Sequence, residues 1–331
     1  MSSRAFDWSR VSTGDDWDKL VHRSAQGTLF SESDYLGLTG RETACHLVTQ
    51  GSEPKAIVCM VRGADPRDTQ LDDLVIYGGL MFIADPSRQR VKRRYEEFQI
   101  TDFVAQRLEE EYRNIALALS PSFDDMRPFL WRHYHDADPS MKFRVDLRYT
   151  SILDLAPLSD PDADVESTTT FNQMETVRRY SVREARRKGG KARRGANSET
   201  LVDFYRELMS AQGELQPVEK LQRMQSIMDM LVASGRGEVY EVLDDKDTVV
   251  YVVAYGWDRH RAYYLYGAGH PTISHPWQGS LAHWEAFKDL ARRVGIREVD
   301  LEGVNSPQRG WFKLGFGGDL RKYYHVFRNP K

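Results

Sequence analysis

Cysteine is almost missing from this chain. Only two of its 331 residues are cysteines, Cys45 and Cys59. Two thiols cannot build a disulfide framework, and in strand-like surroundings such as theirs a thiol is an inert packing group. No apolar stretch approaches the ~18–20 residues that a membrane-spanning helix needs. The opening MSSRAFDWSRVSTGDDW contains no apolar h-region, so it does not read as a secretory signal. A reduced, cytoplasmic protein without a transmembrane segment is therefore expected. A strong excess of either charge is also lacking: the formal net charge is −3. Nothing draws the chain as a whole to nucleic acid, DNA is not expected as a partner, and any attraction to RNA must come from a local patch.

Several signatures of chemistry are absent as well. No GxxxxGK[ST] phosphate loop occurs. No Ser-His-Asp or Cys-His arrangement is present, which leaves an acyl-enzyme without support. His270, His275 and His283 lack metal-ligand spacing to carboxylates or cysteines and read as structural histidines. Neither a metal nor a bound cofactor is expected.

What is present is ample core material, 40% apolar and 11% aromatic residues, in a length that allows two domains or one large one. The first half reads as mixed α/β. A helix near Trp17–Arg23 precedes TLFSESDYL, where Ser31 or Ser33 can cap a short helix. The strand-like runs CHLVTQ, AIVCMVRG and LVIYGGLMFIA follow, the last with a Gly78-Gly79 pair that suggests a bulge. A long charged helix spans Val91 to Leu117, SPSFDDMRPFLWRHY is a loop, and RYTSILDL is another strand. Ala156–Thr170, rich in Pro, Asp, Ser and Thr, is the linker, placing one domain at 1–157 and a second at 158–331. The second half opens with a basic helix and a helix pair broken near Gly213 and Pro217. It continues with strands EVYEVLDD, TVVYVVAYGW and AYYLYGAG, a helix closing at Gly295, strand REVDLEG, a glycine-rich loop and a last strand KYYHVFR. The repeated order suggests a duplicated α/β unit.

Three clusters could carry chemistry. The basic run Arg178–Gly195 has nine Lys/Arg against Glu184 alone, enough to attract phosphates or an RNA backbone, although such runs are commonly solvated helix faces. Arg183, Arg186, Arg187 and Lys188 are its donor-binding candidates. In Tyr263–Phe287, a strand delivers Tyr264 and Tyr266, a turn holds Gly267 and Gly269, and a helix starts near Gly279-Ser280. A helix N-terminus presents free N–H groups to a phosphate or carbonyl oxygen. The third cluster is GWFKLGFGG, Gly310–Gly318, which sets Phe312 and Lys313 among glycines after the strand VDLEGVN. Glycine permits close backbone approach, and lysine is a compact positive charge. Asp300 and Glu302, two apart on a strand, would share one face there. Either could act as a base on an amine or cap the loop.

The segment from Gly279 to Val326, ending in GWFKLGFGGDLRKYYHV, resembles the signature end of the FemXAB-like aminoacyltransferases. WDKLVHRSAQGTLFSESDYL, RYTSILDL and RRYSVREARRKG agree with that family in order along the chain. The resemblance implies an α/β fold of two tandem GNAT-like (acetyltransferase-type) domains, with mostly antiparallel sheets flanked by helices. It implies transfer of an aminoacyl group from aminoacyl-tRNA to an amine without an acyl-enzyme. Phe312 and Lys313 match the family's Phe-Lys motif at the transfer site, and Tyr266 corresponds to an acceptor-facing tyrosine. Two features depart from the pattern: Ala211-Gln212-Gly213 stands where an arginine usually grips a nucleotide-sugar acceptor, and no coiled-coil arm is present. The expected activity is thus an N-acyltransferase acting on a small peptide, amino sugar or specialised metabolite. Acyl-CoA is the alternative donor, and a non-catalytic nucleotide-sugar or peptide-binding module is the alternative of another class.

Overall fold

The computed structural model describes residues 5–83, 85, 87–195 and 197–330. The chain divides into two compact units, 1–148 with 322–331, and 149–321. This division falls upstream of the linker-based boundary at 157/158, and the last ten residues belong to the first unit.

The first unit contains helices α1 (Asp15–His22), α2 (Ser33–Leu38), α3 (Arg90–Glu111) and α4 (Arg127–Trp131). Strands β1 (Phe6–Arg10), β2 (Thr43–Gln50), β3 (Glu53–Arg62), β4 (Thr69–Gln70) and β5 (Gly79–Phe82) form an antiparallel sheet in which β5 also pairs with β3. Apolar residues at helical spacing, Ile100, Val104, Ala105 and Leu108, bury one stripe of α3 in the core. That helix ends at Glu111 rather than at Leu117. The apolar run beyond it is instead strand β6 (Ile115–Ala118), paired antiparallel with residues 325–328. RPFLW, expected as loop, forms α4, with proline in its first turn where a missing N–H costs nothing. Cys45 and Cys59 face each other across β2 and β3 as buried free thiols, Sγ to Sγ 3.5 Å.

The second unit is built on six strands in the order β7-β12-β11-β10-β9-β8. They are β7 (Arg144–Asp154, within this unit from Tyr149), β8 (Lys191–Arg194), β9 (Gly237–Leu243), β10 (Val249–Trp257), β11 (Ala262–Gly269) and β12 (Glu298–Asp300). Helices α5 (Thr169–Gln173), α6 (Thr176–Arg187), α7 (Ser198–Ala211), α8 (Val218–Ala233), α9 (Gln278–Asp289) and α10 (Pro307–Leu314) complete it. The final strand, β13 (Asp319–Arg328), leads back to the first unit. The helix pair broken at Gly213 and Pro217 and the three strands after it stand as expected, while the helix expected to close at Gly295 is α-helical to Asp289 and continues as a π-helical turn, Leu290–Val294, capped by Gly295 with φ 83°.

Three sequence expectations are corrected here. The basic run is not one helix. It leaves α6 at Arg187, turns at Gly189 with φ 78°, and returns as β8, the sheet's edge strand, whose Lys and Arg side chains suit an exposed edge. The glycine-rich loop around Phe312 is also not a loop, since Pro307–Leu314 is the helix α10. Its glycines serve packing: a Cβ on Gly310 would lie 2.2 Å from the Val304 carbonyl oxygen, and Gly317 has φ 86° against the Gln173 backbone. Finally, β12 stops at Asp300, and Glu302 leaves strand geometry with φ 53°. The carboxylates of Asp300 and Glu302 therefore do not share a strand face.

Two features of β11 open a site. It runs parallel to β12 only where Ala262 meets Val299 and Tyr263 meets Asp300; beyond those pairs the two strands part. A register shift against β10 then lies between Tyr264 and Tyr266, a bulge of one residue. Gly310→Ala should lower the denaturation midpoint of the protein, by the ~1–3 kcal/mol typical of forced overpacking. An unchanged midpoint in urea unfolding would show that α10 packs less tightly than this.

Candidate active site

The site lies where β11 and β12 separate. From α10, the Lys313 side chain runs into this gap, and its Nζ donates to the main-chain oxygens of Glu302 (3.4 Å) and Gly303 (3.3 Å). It also stands 4.8 Å from the centroid of the Tyr264 ring. A half-buried ammonium over an aromatic face gains on the order of 1 kcal/mol. Burial pushes the Lys313 amine below its ordinary pKa, opposed by Glu302 and Asp300 and aided by Arg309. Arg309, one helical turn earlier, donates to the Gln212 side chain at the end of α7. A guanidinium thus reaches Gln212 from α10, at the place where the sequence itself lacks an arginine.

Asp300 and Glu302 have different surroundings. Asp300 is fully buried, and its Oδ1 accepts from the Thr150 hydroxyl and from the Glu302 backbone N–H at 2.7 Å. That pair of bonds fixes the turn leaving β12. Glu302 is buried, and its Oε1 has no hydrogen-bond partner. Desolvation raises the Glu302 carboxyl well above the usual carboxylate range; Lys313 pulls it down and Asp300 pushes it up.

Phe312 faces the start of α9. A Cβ on Gly279 would lie 3.2 Å from the Phe312 ring, so this glycine lets the ring approach. The Arg178 guanidinium covers that ring at 4.4 Å and donates to the buried Ser280 hydroxyl at 3.3 Å. Arg178 Nε has no partner, and burial lowers its pKa. Gly267 leaves space for the Tyr264 and Tyr251 hydroxyls, 2.8 and 3.2 Å from where its Cβ would be. Gly269 packs on the Gln278 side chain. Phe312, Lys313, Tyr264, Asp300, Glu302, Gly267, Gly279 and Ser280 are thus brought together. Tyr266 is not: across the bulge its ring meets Tyr205 of α7, while Tyr264 meets His283 of α9 at 5.0 Å.

The remaining basic candidates lie on the surface with acidic neighbours. Arg183 and Arg186 both pair with Glu166, at 2.7 and 2.9 Å, and Arg186 also reaches Glu285. Arg187 pairs with Glu184 at 2.7 Å, and Lys188 is the C-cap of α6. The run of cations is therefore substantially compensated by carboxylates from elsewhere in the fold. Sequence reasoning did not single out Arg178, Arg309, Thr150 or the Tyr255–His283 pair. Only Arg178 carried a signal, its place in the basic run. Among the described residues, no group of three or more His, Cys, Asp or Glu side chains could hold a metal ion, and no helix is long and apolar enough to cross a membrane.

With this geometry in place, the comparisons are specific. Residues 176–310 match the acetyltransferase (GNAT) domain family, so the second half of the chain carries an acetyltransferase-type domain. The whole chain has the fold of solved tandem GNAT-type structures. It superposes on a crystal structure of FemX with a TM-score of 0.64 and 13% identity, covering 96% of each chain. A tandem GNAT protein from the clavulanic acid biosynthesis pathway, solved without AcCoA, gives a TM-score of 0.53 and 12% identity over 98% of each chain. The structure of L-PGS from Bacillus licheniformis gives 0.52 and 11% identity, covering 97% of this chain and 94% of that one. No curated protein sequence matches the chain.

His283 supplies a pH test of the site's packing. Its Nδ1 meets the Tyr255 hydroxyl, and burial, with Lys313 and Arg178 nearby, lowers its pKa to about 3. The folded state then binds fewer protons than the unfolded chain below about pH 6.5, so stability is lost as pH falls toward 3, by up to ~1.4 kcal/mol per unit. His46 in the first unit, lowered to about 4 chiefly by burial, acts in the same direction. His283→Gln should flatten part of the fall in denaturation midpoint between pH 7 and 4.5. An identical acid response in the variant would remove His283 as its source.

Proposed function

We propose that this protein is an N-acyltransferase in which an acceptor amine attacks the carbonyl of an activated acyl donor directly, with aminoacyl-tRNA as that donor. The observation that carries the reading is the half-buried Lys313 ammonium next to Phe312 on α10, at the parting of β11 and β12 in an acetyltransferase-type domain. An ammonium held by main-chain oxygens and an aromatic face is positioned before reaction and can stabilise the charge that develops on the carbonyl or leaving oxygen. Tyr264 gives it an aromatic face, and Phe312 lines the neighbouring surface toward α9. The acceptor is a small peptide, amino sugar or specialised metabolite. Arg309 is the cation available to an acceptor carboxylate or phosphate, and the start of α9, with Ser280 and Arg178, is available to the donor.

Acyl-CoA is the second reading, and a specific observation favours it. Arg183, Arg186 and Arg187 already have carboxylate partners, which reduces the charge open to an RNA backbone. Exposed pairs of this kind are weak, ~0–1 kcal/mol, so phosphates can displace them.

Lys313→Met should cut single-turnover transfer at saturating donor by ~10²–10³-fold; near wild-type rates would remove the role given to Lys313. For the donor, the combined Arg186→Gln, Arg187→Gln, Lys188→Gln variant should lose donor affinity, with a shallower salt dependence than wild type. Full activity with acyl-CoA after RNase treatment would replace tRNA by CoA. Ligand binding with no transfer to any of a panel of amines would favour a binding module.

A further inference from the structure

The two carboxylates at the site are equivalent in the sequence and different in the fold. Asp300 is committed to Thr150 and to the Glu302 backbone. Glu302 Oε1 is buried and has no partner. The Glu302 backbone is left-handed, φ 53°, although the next residue is a glycine that could take such a conformation at little cost. A carboxylate that is costly in both solvation and backbone conformation is poorly explained as a stabilising group. Its place is explained by what surrounds it: the Lys313 ammonium bonded to its own carbonyl, the Tyr264 ring under that ammonium, and the gap left by β11 and β12.

We propose that Glu302 is the general base that deprotonates the acceptor ammonium. The assignment rests on the transferase reading above and adds to it the second proton carrier that direct attack requires. An amine acceptor arrives near neutral pH as R–NH₃⁺, which has no lone pair. One N–H proton passes to Glu302 Oε1, and the freed nitrogen forms the N–C bond to the donor carbonyl. The tetrahedral species that results carries a surplus proton on nitrogen and a negative oxygen. Lys313 gives its own proton to the departing oxygen of the ribose ester and takes up the proton from nitrogen as the C–O bond breaks. The products are the amide and the free hydroxyl, and Glu302 returns its proton to water.

Groups from three elements face this carboxyl. Lys313 comes from α10, Asp300 from the end of β12, and Tyr264 from β11, while Arg309 of α10 acts on Lys313 and Tyr264. Lys313 favours its ionised form, while burial and Asp300 oppose it, so the acid limb of the rate profile should lie above the ordinary carboxylate range.

The test is Glu302→Gln, which keeps side-chain size and removes the base, with Glu302→Gly as a second variant that also relieves the backbone. Transfer by Glu302→Gln at pH 7 should fall ~10²–10⁴-fold for an amine of high pKa. The loss should be much smaller for an amine of low pKa, which is already unprotonated. Donor affinity should be unchanged, and the thermal midpoint of both variants should equal or exceed that of wild type. Equal loss for both amines, a lowered midpoint in Glu302→Gly, or near wild-type turnover would each overturn the assignment. A readout independent of turnover is the infrared carboxyl band of wild type minus Glu302→Gln across pH. A band titrating above the usual carboxylate range supports the base, and one titrating as an ordinary carboxylate overturns it. If wild type transfers no acyl group from any donor while this band titrates high, the transferase reading fails separately from the placement of the carboxyl.

Discussion

A lysine ammonium that gives up part of its water must find other partners, and the second unit is arranged around doing this for Lys313. The partners are two main-chain oxygens and a ring face, and each exists because of backbone irregularity. The oxygens of Glu302 and Gly303 become available because β12 ends at Asp300. The Tyr264 ring faces the gap because β11 bulges just beyond it and parts from β12. The helix carrying Lys313 approaches this closely because Gly310 has no Cβ to meet the Val304 oxygen. Continuous strands or an alanine at 310 would displace the ammonium from its partners.

The aromatic wall beside this amine follows from the same constraint. Phe312 precedes Lys313 on α10 and lies 5.6 Å from His283, within a group that includes Phe287 and Phe316. Burial lowers the pKa of Lys313 and His283 and raises that of Glu302, since it always disfavours the charged form. His283 responds by staying neutral and bonding Tyr255. Lys313 and Glu302 sustain each other's charge, so substitution of either shifts the other. This is why their roles are distinguished better by the pKa of the acceptor amine than by comparing the losses from each substitution.

Much of the architecture was legible in the chain. EVYEVLDD, TVVYVVAYGW and AYYLYGAG have the alternation and turn residues of strands, and the helix to Gly295 has its left-handed cap. Phe312 and Lys313 stand out in the sequence as a pair in a loop, whereas the fold places both on a helix. Glycine at Gly310, Gly315, Gly317 and Gly318 reads as a loop because glycine is a poor helix former. The helix forms because three of these glycines lie outside it or at its cap, and Gly310 is required by a contact with Val304 that local propensity cannot report. The reading of Asp300 and Glu302 assumed a strand continuing through both, but the Thr150–Asp300 bond that ends it joins residues 150 apart in sequence.

The basic run shows the opposite failure, a strong sequence signal that the fold reduces. Nine cations against one glutamate is correct within Arg178–Gly195, but charge balance is set by neighbours in space. Glu166 comes from the linker and Glu285 from α9, so the outward cations Arg183 and Arg186 are paired. Arg178, at the start of the run, turns over the Phe312 ring and onto Ser280. Its guanidinium is half-buried with Nε unpartnered, so neutralising it would disturb the ring of Phe312, the residue before Lys313 on α10, as well as any anion site. A substitution at Arg178 would therefore change acyl transfer through packing even where no phosphate is bound. The surface cluster at Arg186, Arg187 and Lys188 separates these effects, because the carboxylates that Arg186 and Arg187 pair with are Glu166, Glu285 and Glu184, none of them among the partners of Lys313.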